Sequence, residues 1–483
     1  MLTIDKSSDN YLYQQVTSLI TRQIQFGTLR PGDRLPSLRN LSRNLKLSIP
    51  TVKQGYQELE RLGFVESRPQ SGFYVLGQSR NPMIKTSRYG RCKPARVCCR
   101  TLIERIHEGI HLPGKAPLGI ANPSMASPAA KALHRAMKRV MARAEERSLG
   151  YAAITGEPGL KRQIAYRYLD LGGNVDPDDV IITNGAQEAL AIALMAVAKK
   201  GDIVAVESPT YFGMLELIES LGMLAIEIET CPVNGISLEA LTSALDKYDI
   251  KACLFAAAVN NPLGSVTTDQ HRKLLVKLLE ERGIPLIEDD VYGDLVFDGP
   301  RPRPAQFFTR KNLVLTCGSF SKTAAPGYRI GWLLAGRFYE QSRRFKRAVS
   351  CSSGLLQQLT LSEYIAAGDY DRHIKNLRQV LKRNCERMQA LISRQFPAGI
   401  RVSQPRGGSV LWLELPKINT ERLFEMALEQ GISICPGKIF SPSGHYQNFI
   451  RLSFGIPWDD EIEKAIIQLG DLVARCSEQN RSP

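Results

Sequence analysis

Residues 313–322 read Leu313-Val314-Leu315-Thr316-Cys317-Gly318-Ser319-Phe320-Ser321-Lys322, and Pro326-Gly327-Tyr328-Arg329 follows shortly after. An apolar run that ends in small hydroxyl residues and a lysine is what a buried strand looks like when it delivers its last side chains to a site. Outward from this stretch the arrangement recurs. Ile284-Pro285-Leu286-Ile287 leads into Glu288-Asp289-Asp290-Val291-Tyr292, the run containing Leu254 leads to Asn261, Ile181-Ile182-Thr183 leads to Gly185-Ala186-Gln187, and Ile203 to Val206 precedes Tyr211. Strand-like runs at Val180 to Thr183, Ile203 to Val206, Ala252 to Ala258, Pro285 to Ile287 and Leu313 to Leu315 alternate with helical patterns, which predicts a mostly parallel sheet covered by helices. In open sheets of this kind ligands gather at the C-terminal strand ends, so these residues are expected to converge.

Their chemistry converges as well. A lysine amine forms a Schiff base with a carbonyl, and a carboxylate beside it can pair with a pyridinium nitrogen and keep the ring an electron sink. Gly185 opens a helix whose N-terminus suits a phosphate. Tyr211 can stack on a ring, and Arg451, in Phe449-Ile450-Arg451-Leu452, can grip a carboxylate through two parallel bonds. Taken singly, each residue type is commonly structural; the ordered set is what points to a site.

The first 78 residues follow another pattern. Leu12, Val16, Leu19, Ile20 and Ile24 share one helical face, Ser37 caps a second helix with Leu38, Leu41 and Leu45, and Ser48 precedes a third with Val52, Tyr56 and Leu59 on its inner side. Phe64 to Glu66 and Gly72 to Val75 read as two strands joined around Arg68-Pro69-Gln70-Ser71, so a winged helix is expected. Its third helix would enter the major groove by the N-terminal end, offering Ser48, Thr51, Lys53 and Gln54.

The chain has 483 residues, 43% hydrophobic and 23% charged, with net charge +15. That length calls for at least two domains and excludes a disordered or disulfide-stapled scaffold. Charge is unevenly spread, about +4 over residues 1–78, about +7 over 79–116 and about +4 over the rest. A basic front suits a polyanion. Residues 79–116 read as a basic linker with little apolar periodicity before Thr101. Their Cys92, Cys98, Cys99, His107 and His111 lack the paired Cys-x-x-Cys of a tetrahedral site, so no metal is expected. No apolar run is long enough to span a bilayer and the N-terminus has no signal core, so a cytoplasmic location with free thiols is expected.

Residues 29–39, Leu-Arg-Pro-Gly-Asp-Arg-Leu-Pro-Ser-Leu-Arg, and the Arg-Pro-Gln-Ser-Gly wing resemble the winged helix of GntR-type bacterial regulators. The resemblance implies DNA contacts from Arg39, Thr51 and Lys53, with Arg68 and Gly72 shaping or carrying the wing. Residues 117–475 resemble fold-type I aminotransferases that bind pyridoxal 5'-phosphate, with a small α+β subdomain at about 370–475. Here the resemblance implies Lys322 as the covalent anchor and catalytic residue, Asp289 as partner of the ring nitrogen, and Tyr292 and Asn261 as ligands of the phenolic oxygen. It makes Tyr211 the stacking aromatic and Gly185, Ala186, Gln187, Ser319, Ser321 and Arg329 the phosphate cup. Tyr151 would reach the neighbouring subunit's phosphate, and Arg451 would hold a substrate carboxylate. The whole chain resembles the MocR subgroup of GntR regulators. That implies a homodimer with exchanged domains, operator DNA as partner, an amine or amino acid as effector, and transcription control. A working aminotransferase with an accessory DNA-binding domain is the alternative, and a cofactor-free dimerisation scaffold conflicts with the retained ligands.

Overall fold

The computed structural model describes residues 11–25, 28–29, 33–61, 64–68, 71–75, 82–84, 86, 93–97, 102–106, 116–121 and 127–479. At the N-terminus, helices α1 (Leu12–Gln25), α2 (Leu38–Leu45) and α3 (Ile49–Arg61) precede a hairpin of β1 (Val65–Arg68) and β2 (Gly72–Val75). Ser37 accepts the Asn40 N–H and Ser48 accepts the Thr51 N–H, which are the two caps the sequence predicts. Val16, Leu41, Leu45, Val52, Tyr56, Leu59, Val65 and Val75 form one buried cluster. The sequence missed a third element of the wing. Leu35 donates to the Phe73 carbonyl and Val75 to that of Asp33, so the stretch around Arg34 bridges to Tyr74 beside the hairpin.

The second sheet has eight strands in the order β3-β10-β9-β8-β7-β4-β5-β6. They are β3 (Val180–Thr183), β4 (Ile203–Ser208), β5 (Leu224–Cys231), β6 (Gly235–Ile236), β7 (Ile250–Phe255), β8 (Leu286–Asp289), β9 (Val314–Ser319) and β10 (Gly331–Leu334). Side chains alternate between its two faces as the pleat requires. Leu254 and Ile287 join one apolar layer with the helices Ala186–Val197 and Phe212–Ser220. Cys253, Phe255 and Leu286 join the other with the helices Leu238–Lys247 and Asp269–Glu281. Both faces are dry, which is why these strands read as continuous apolar runs.

Four of the seven pairings are parallel. The sequence reading passed over β10, which runs antiparallel between β3 and β9. Because β10 runs the other way, the residues before it lie at the same sheet edge as the C-terminal ends of β3 and β9. A smaller antiparallel sheet, β11 (Arg401–Val402), β12 (Val410–Glu414), β13 (Cys435–Pro436) and β14 (Phe449–Ser453), carries Arg451 on a strand paired on both sides. The helix Asp369–Gln395 runs alongside both regions, touching the turn at Gly293–Leu295 and the helix Asp460–Gln479.

Residues 79–116 differ from a plain tether in their described parts. Ile84, Val97, Ile103 and Ile106 are buried, and Ala95 exchanges backbone bonds with Ala225 beside β5. Ile84 and Val97 are inserted singly and leave no period to read, whereas Ile103 and Ile106 share one face of a short helical turn at 102–106. Cys92, Cys98, Cys99, His107 and His111 lie outside the described residues. Among the described residues no helix is long and apolar enough to cross a membrane.

Gly55 sits where α1 crosses α3, and a β-carbon there would lie 2.9 Å from Val16 Cγ1 and 3.1 Å from the Tyr13 carbonyl oxygen. Gly55→Val is therefore expected to destabilise the winged helix by about 1–3 kcal/mol through overpacking. Urea unfolding followed by proteolysis of residues 1–78 would measure it, and an unchanged midpoint would mean the helices do not cross there.

Candidate functional site

One edge of the large sheet collects the residues singled out from the sequence. Gly185 follows β3, Tyr211 follows β4, Asn261 lies beyond β7, Asp289 ends β8, and Ser319 ends β9 just before Ser321 and Lys322. Gly331 pairs with both Thr183 and Ser319, so Arg329, two residues earlier, reaches the start of the helix Ala186–Val197.

Close packing at that corner depends on missing side chains. A β-carbon on Gly185, whose φ is 79°, would fall 2.4 Å from Arg329 Nη2, and one on Gly331 would fall 2.6 Å from the Gly185 carbonyl carbon. Arg329 Nη1 donates to Ser321 Oγ at 3.3 Å and Nη2 to the Asn184 carbonyl at 3.3 Å. The Ser319 and Ser321 hydroxyls bond to each other at 2.9 Å. No side chain caps the helix at Gly185, and the Gln187 amide is engaged by the Gly213 carbonyl, so the Ala186 and Gln187 backbone N–H groups carry the helix terminus. Hydroxyls, a guanidinium and an uncapped helix start form a cradle whose chemistry fits a phosphate.

Beneath it lies an ion pair the sequence did not disclose. Lys346, fully buried, donates to Glu188, Ser350 and Ser353, and Glu188 in turn accepts the Asn184 N–H. Burial opposes ionisation of Glu188, but these bonds outweigh it and hold its carboxyl below the ordinary range.

Three consecutive carboxylates at the end of β8 have separate environments. Glu288 faces away and accepts the Ala305 N–H at 2.9 Å and the Thr316 hydroxyl at 3.0 Å. Asp290 is tied to Arg301, which also holds Asp294 at 2.7 Å. Asp289 alone turns to the site, fixed by the Val291 N–H at 3.0 Å. Burial raises its carboxyl to about 6, with Asp290 adding to the rise and Lys322 opposing it. Lys322 is pushed down to about 8 by burial, helped by Arg451 and Arg329 and opposed by Asp289. The fields of Asp289, Arg329 and Arg451 thus meet at one amine.

Arg451 is 2% exposed. Its Nη2 donates to the Gly119 carbonyl at 2.7 Å and its Nη1 to Asn261 Oδ1 at 3.3 Å, while Nε has no partner. Among the described residues no carboxylate pairs with it. The Phe212 and Phe440 rings lie 5.7 and 5.1 Å from its central carbon, and Cys435 Sγ is 3.3 Å from Nη2. Tyr292 donates to Ala121 at 3.2 Å and lies 3.3 Å from the Ser409 hydroxyl. Burial raises the Tyr211 hydroxyl to about 12. Gly119, Cys435, Phe440 and Ser409 went unnoticed in the sequence because long-range folding alone brings them here. Tyr151 stands apart, 91% exposed.

On the winged helix, Arg39, Ser48, Lys53 and Gln54 are exposed and Thr51 is half-buried, its hydroxyl 2.7 Å from that of Ser48. Gly72 adopts φ 106°, with the Arg34 guanidinium against it, which makes Arg34 a further basic group at the wing. Arg68 ends β1, and its side chain lies outside the described residues.

Comparison with known proteins agrees with both halves. Class I and II aminotransferases match over residues 113–469, and bacterial regulatory proteins of the gntR family over residues 12–75. The uncharacterized HTH-type transcriptional regulator YjiR of Escherichia coli K12 is 35% identical, with the alignment covering 96% of this chain and 99% of that protein. YdcR of the same organism, described in the same words, is 36% identical, over 95% and 98%. Among solved structures, the α-aminoadipate aminotransferase LysN of Thermus thermophilus, complexed with N-(5'-phosphopyridoxyl)-L-leucine, superposes with a TM-score of 0.71 at 26% identity, over 78% of this chain and 95% of that one. The fold is that of a class I and II aminotransferase carrying an N-terminal gntR domain. The chain belongs to the MocR-type family, in which those two domains are fused.

Two outcomes follow from the electrostatics. Asp289→Asn removes the attraction that raises the Lys322 pKa, so Lys322 should titrate below about 8; the pH profile of its borohydride trapping with a simple aldehyde measures this, and an unmoved midpoint would separate the two groups. Arg167, Arg301 and Tyr370 overcome burial to hold Asp294 well below the ordinary carboxylate range. Its stabilisation is complete above the unfolded value near 4 and drains away as pH falls below it. Asp294→Asn should therefore flatten the acid limb of the stability profile, at a cost of about 3 kcal/mol near neutrality, because Arg167 and Arg301 each lose one of two carboxylates and keep only Asp371 and Asp290.

Proposed function

We propose that this protein is a transcriptional regulator that binds operator DNA through residues 1–78 and senses an amine or amino acid in a pyridoxal 5'-phosphate-holding domain. That domain spans 117–475 with a small subdomain from about 370, and 79–116 connects it to the winged helix. Arg451 carries the sensing half of the reading: a buried guanidinium with no carboxylate partner among the described residues and an unpaired Nε. A buried cation without an anion is costly. An amino-acid carboxylate supplies the missing charge in a planar form that a guanidinium binds through two bonds.

Bound pyridoxal phosphate supplies an electrophilic carbon and an electron sink. Lys322 would anchor it covalently, its lowered pKa leaving part of the amine neutral and nucleophilic near pH 8. Asp289 would face the ring nitrogen, Tyr292 and Asn261 the phenolic oxygen, and Tyr211 the ring face. Gly185, Ala186, Gln187, Ser319, Ser321 and Arg329 would hold the phosphate. Lys322 would be the group that an incoming amine replaces, and Arg451 would hold that ligand's carboxylate. That attraction is the differential affinity a sensor needs.

DNA contact would come from Arg39, Ser48, Thr51, Lys53 and Gln54 at α2 and the start of α3, with Arg68 and Gly72 in the wing. A homodimer with exchanged domains would present two winged helices and offer Tyr151 to the partner's phosphate site. The gntR match and the relatives named as HTH-type transcriptional regulators favour regulation over metabolism. The complete set of Lys322, Asp289 and Arg451 keeps a second reading open, a working aminotransferase.

Purified protein should carry a borohydride-reducible pyridoxal adduct that Lys322→Ala loses. Operator fragments selected from genomic DNA should bind with a steep salt dependence, and Arg39→Ala and Lys53→Ala should weaken them. An amino acid that shifts operator affinity must have its own affinity shifted by operator by the same factor, commonly about 1–3 kcal/mol. Equal affinities with and without DNA, together with multiple-turnover transfer to a 2-oxo acid, would overturn the regulator in favour of the enzyme.

A further inference from the structure

A cavity of about 440 Å³ opens behind the carboxylate end of β8, between the helices Pro158–Asp170 and Asp369–Gln395. It is separate from the Lys322 and Arg451 site, none of whose residues line it. Ile164, Phe297, Trp332 and Ile374 supply apolar wall and leave the space open between them. The volume is that of a small-molecule pocket, and the lining sets this apolar surface beside a wall of charged side chains.

The polar wall is unevenly matched. Arg167 pairs with Asp294 and Asp371 and packs on the Tyr370 ring, its central carbon 4.4 Å from the centroid. Arg301 pairs with Asp290 and Asp294. Asp294 also accepts the Tyr370 hydroxyl at 2.9 Å, so its oxygens are fully engaged. Arg378 differs from both. Its Nε donates to the Asp294 carbonyl at 2.6 Å and its Nη1 approaches the Gly299 carbonyl at 3.5 Å, and among the described residues no carboxylate reaches it. Burial works against its charge and Arg301 and Arg167 add to that; Asp294 and Tyr370 oppose them without outweighing them. A guanidinium at the edge of a partly apolar cavity, without a carboxylate and close to two other cations, is matched by an anionic group carried in from outside.

We propose that this cavity binds a small organic carboxylate, its anionic group on Arg378 and its apolar body against Ile164, Phe297, Trp332 and Ile374. A single carboxylate is favoured over a phosphate because Arg167 and Arg301 are already neutralised by built-in aspartates. Arg301 of the polar wall is bonded to Asp290, one residue from Asp289, yet the site depends on neither the cofactor nor the DNA reading.

The test is titration of the full-length protein with 3-phenylpropionate, followed by calorimetry and saturation-transfer NMR. Binding should be saturable below about 1 mM, and about tenfold weaker for the uncharged isostere 3-phenylpropanamide and in Arg378→Gln. It should disappear in Ile374→Trp, which fills the cavity, and persist in Arg451→Gln, which disables the other carboxylate site. Arg378→Gln is the decisive variant should Ile374→Trp fail to fold, as judged by circular dichroism. Absence of saturable binding, equal affinity for the amide, unaltered binding in Arg378→Gln, or loss confined to Arg451→Gln would each overturn the proposal.

Discussion

Arg301 lies between Asp290 and Asp294, and this pairing fixes what the end of β8 can do. A carboxylate committed to a buried arginine is not available for anything else. With Glu288 bonded on the opposite face, Asp289 is left as the acid of the run that turns towards Lys322. Gly293 makes the arrangement possible, since a β-carbon there would sit 2.3 Å from Asp290 Oδ1. A turn of ordinary residues would push the two aspartates apart and blur the distinction. The same pairing rigidifies the loop from which Tyr292 rises into the site.

Much of this was legible in the sequence because parallel strands buried on both faces have a distinctive composition and present their functional residues at one end. The runs Val180 to Thr183, Pro285 to Ile287 and Leu313 to Leu315 are strands as expected, and the last two continue further, to Asp289 and Ser319. The assignment of Asp289, however, came from the family resemblance, and what sets it apart from Asp290 is Arg301, eleven residues beyond Asp290 with no pattern to announce it. Antiparallel β10 was invisible for a related reason. Gly331 to Leu334 is four residues long, and its role is set by pairing with Thr183 and Ser319 rather than by any local preference. Lys346 illustrates the limit from the other side. On a helix as basic as Tyr339–Val349 it reads as solvated surface, and only the fold brings Glu188 to it.

In the winged helix the balance is reversed. Caps, apolar stripes and turn residues are local signals, and all three helices follow from them. The strand-like segment at Arg34 was the exception, since Arg34 and Leu35 pair with a hairpin some forty residues downstream. Residues 79–116 escaped in part as well, because Ile84 and Val97, buried singly, have no period. Local chemistry thus accounts for the small domain and long-range pairing for the large one.

The helix Asp369–Gln395 has 27 residues and is therefore about 40 Å long. Near one end Tyr370 is bonded to Asp294 of the large sheet's loop; along the other half Cys385, Met388 and Ile392 sit in the core shared with the helix Asp460–Gln479. Such a rod works as a lever. A tilt of about 5° about its midpoint carries each end through about 2 Å, roughly the span of a hydrogen bond being made or broken. A slight change of angle where it passes Asp294 would thus be delivered undiminished to its far half, where Asn384 holds the Phe454 carbonyl just past the strand on which Arg451 is mounted.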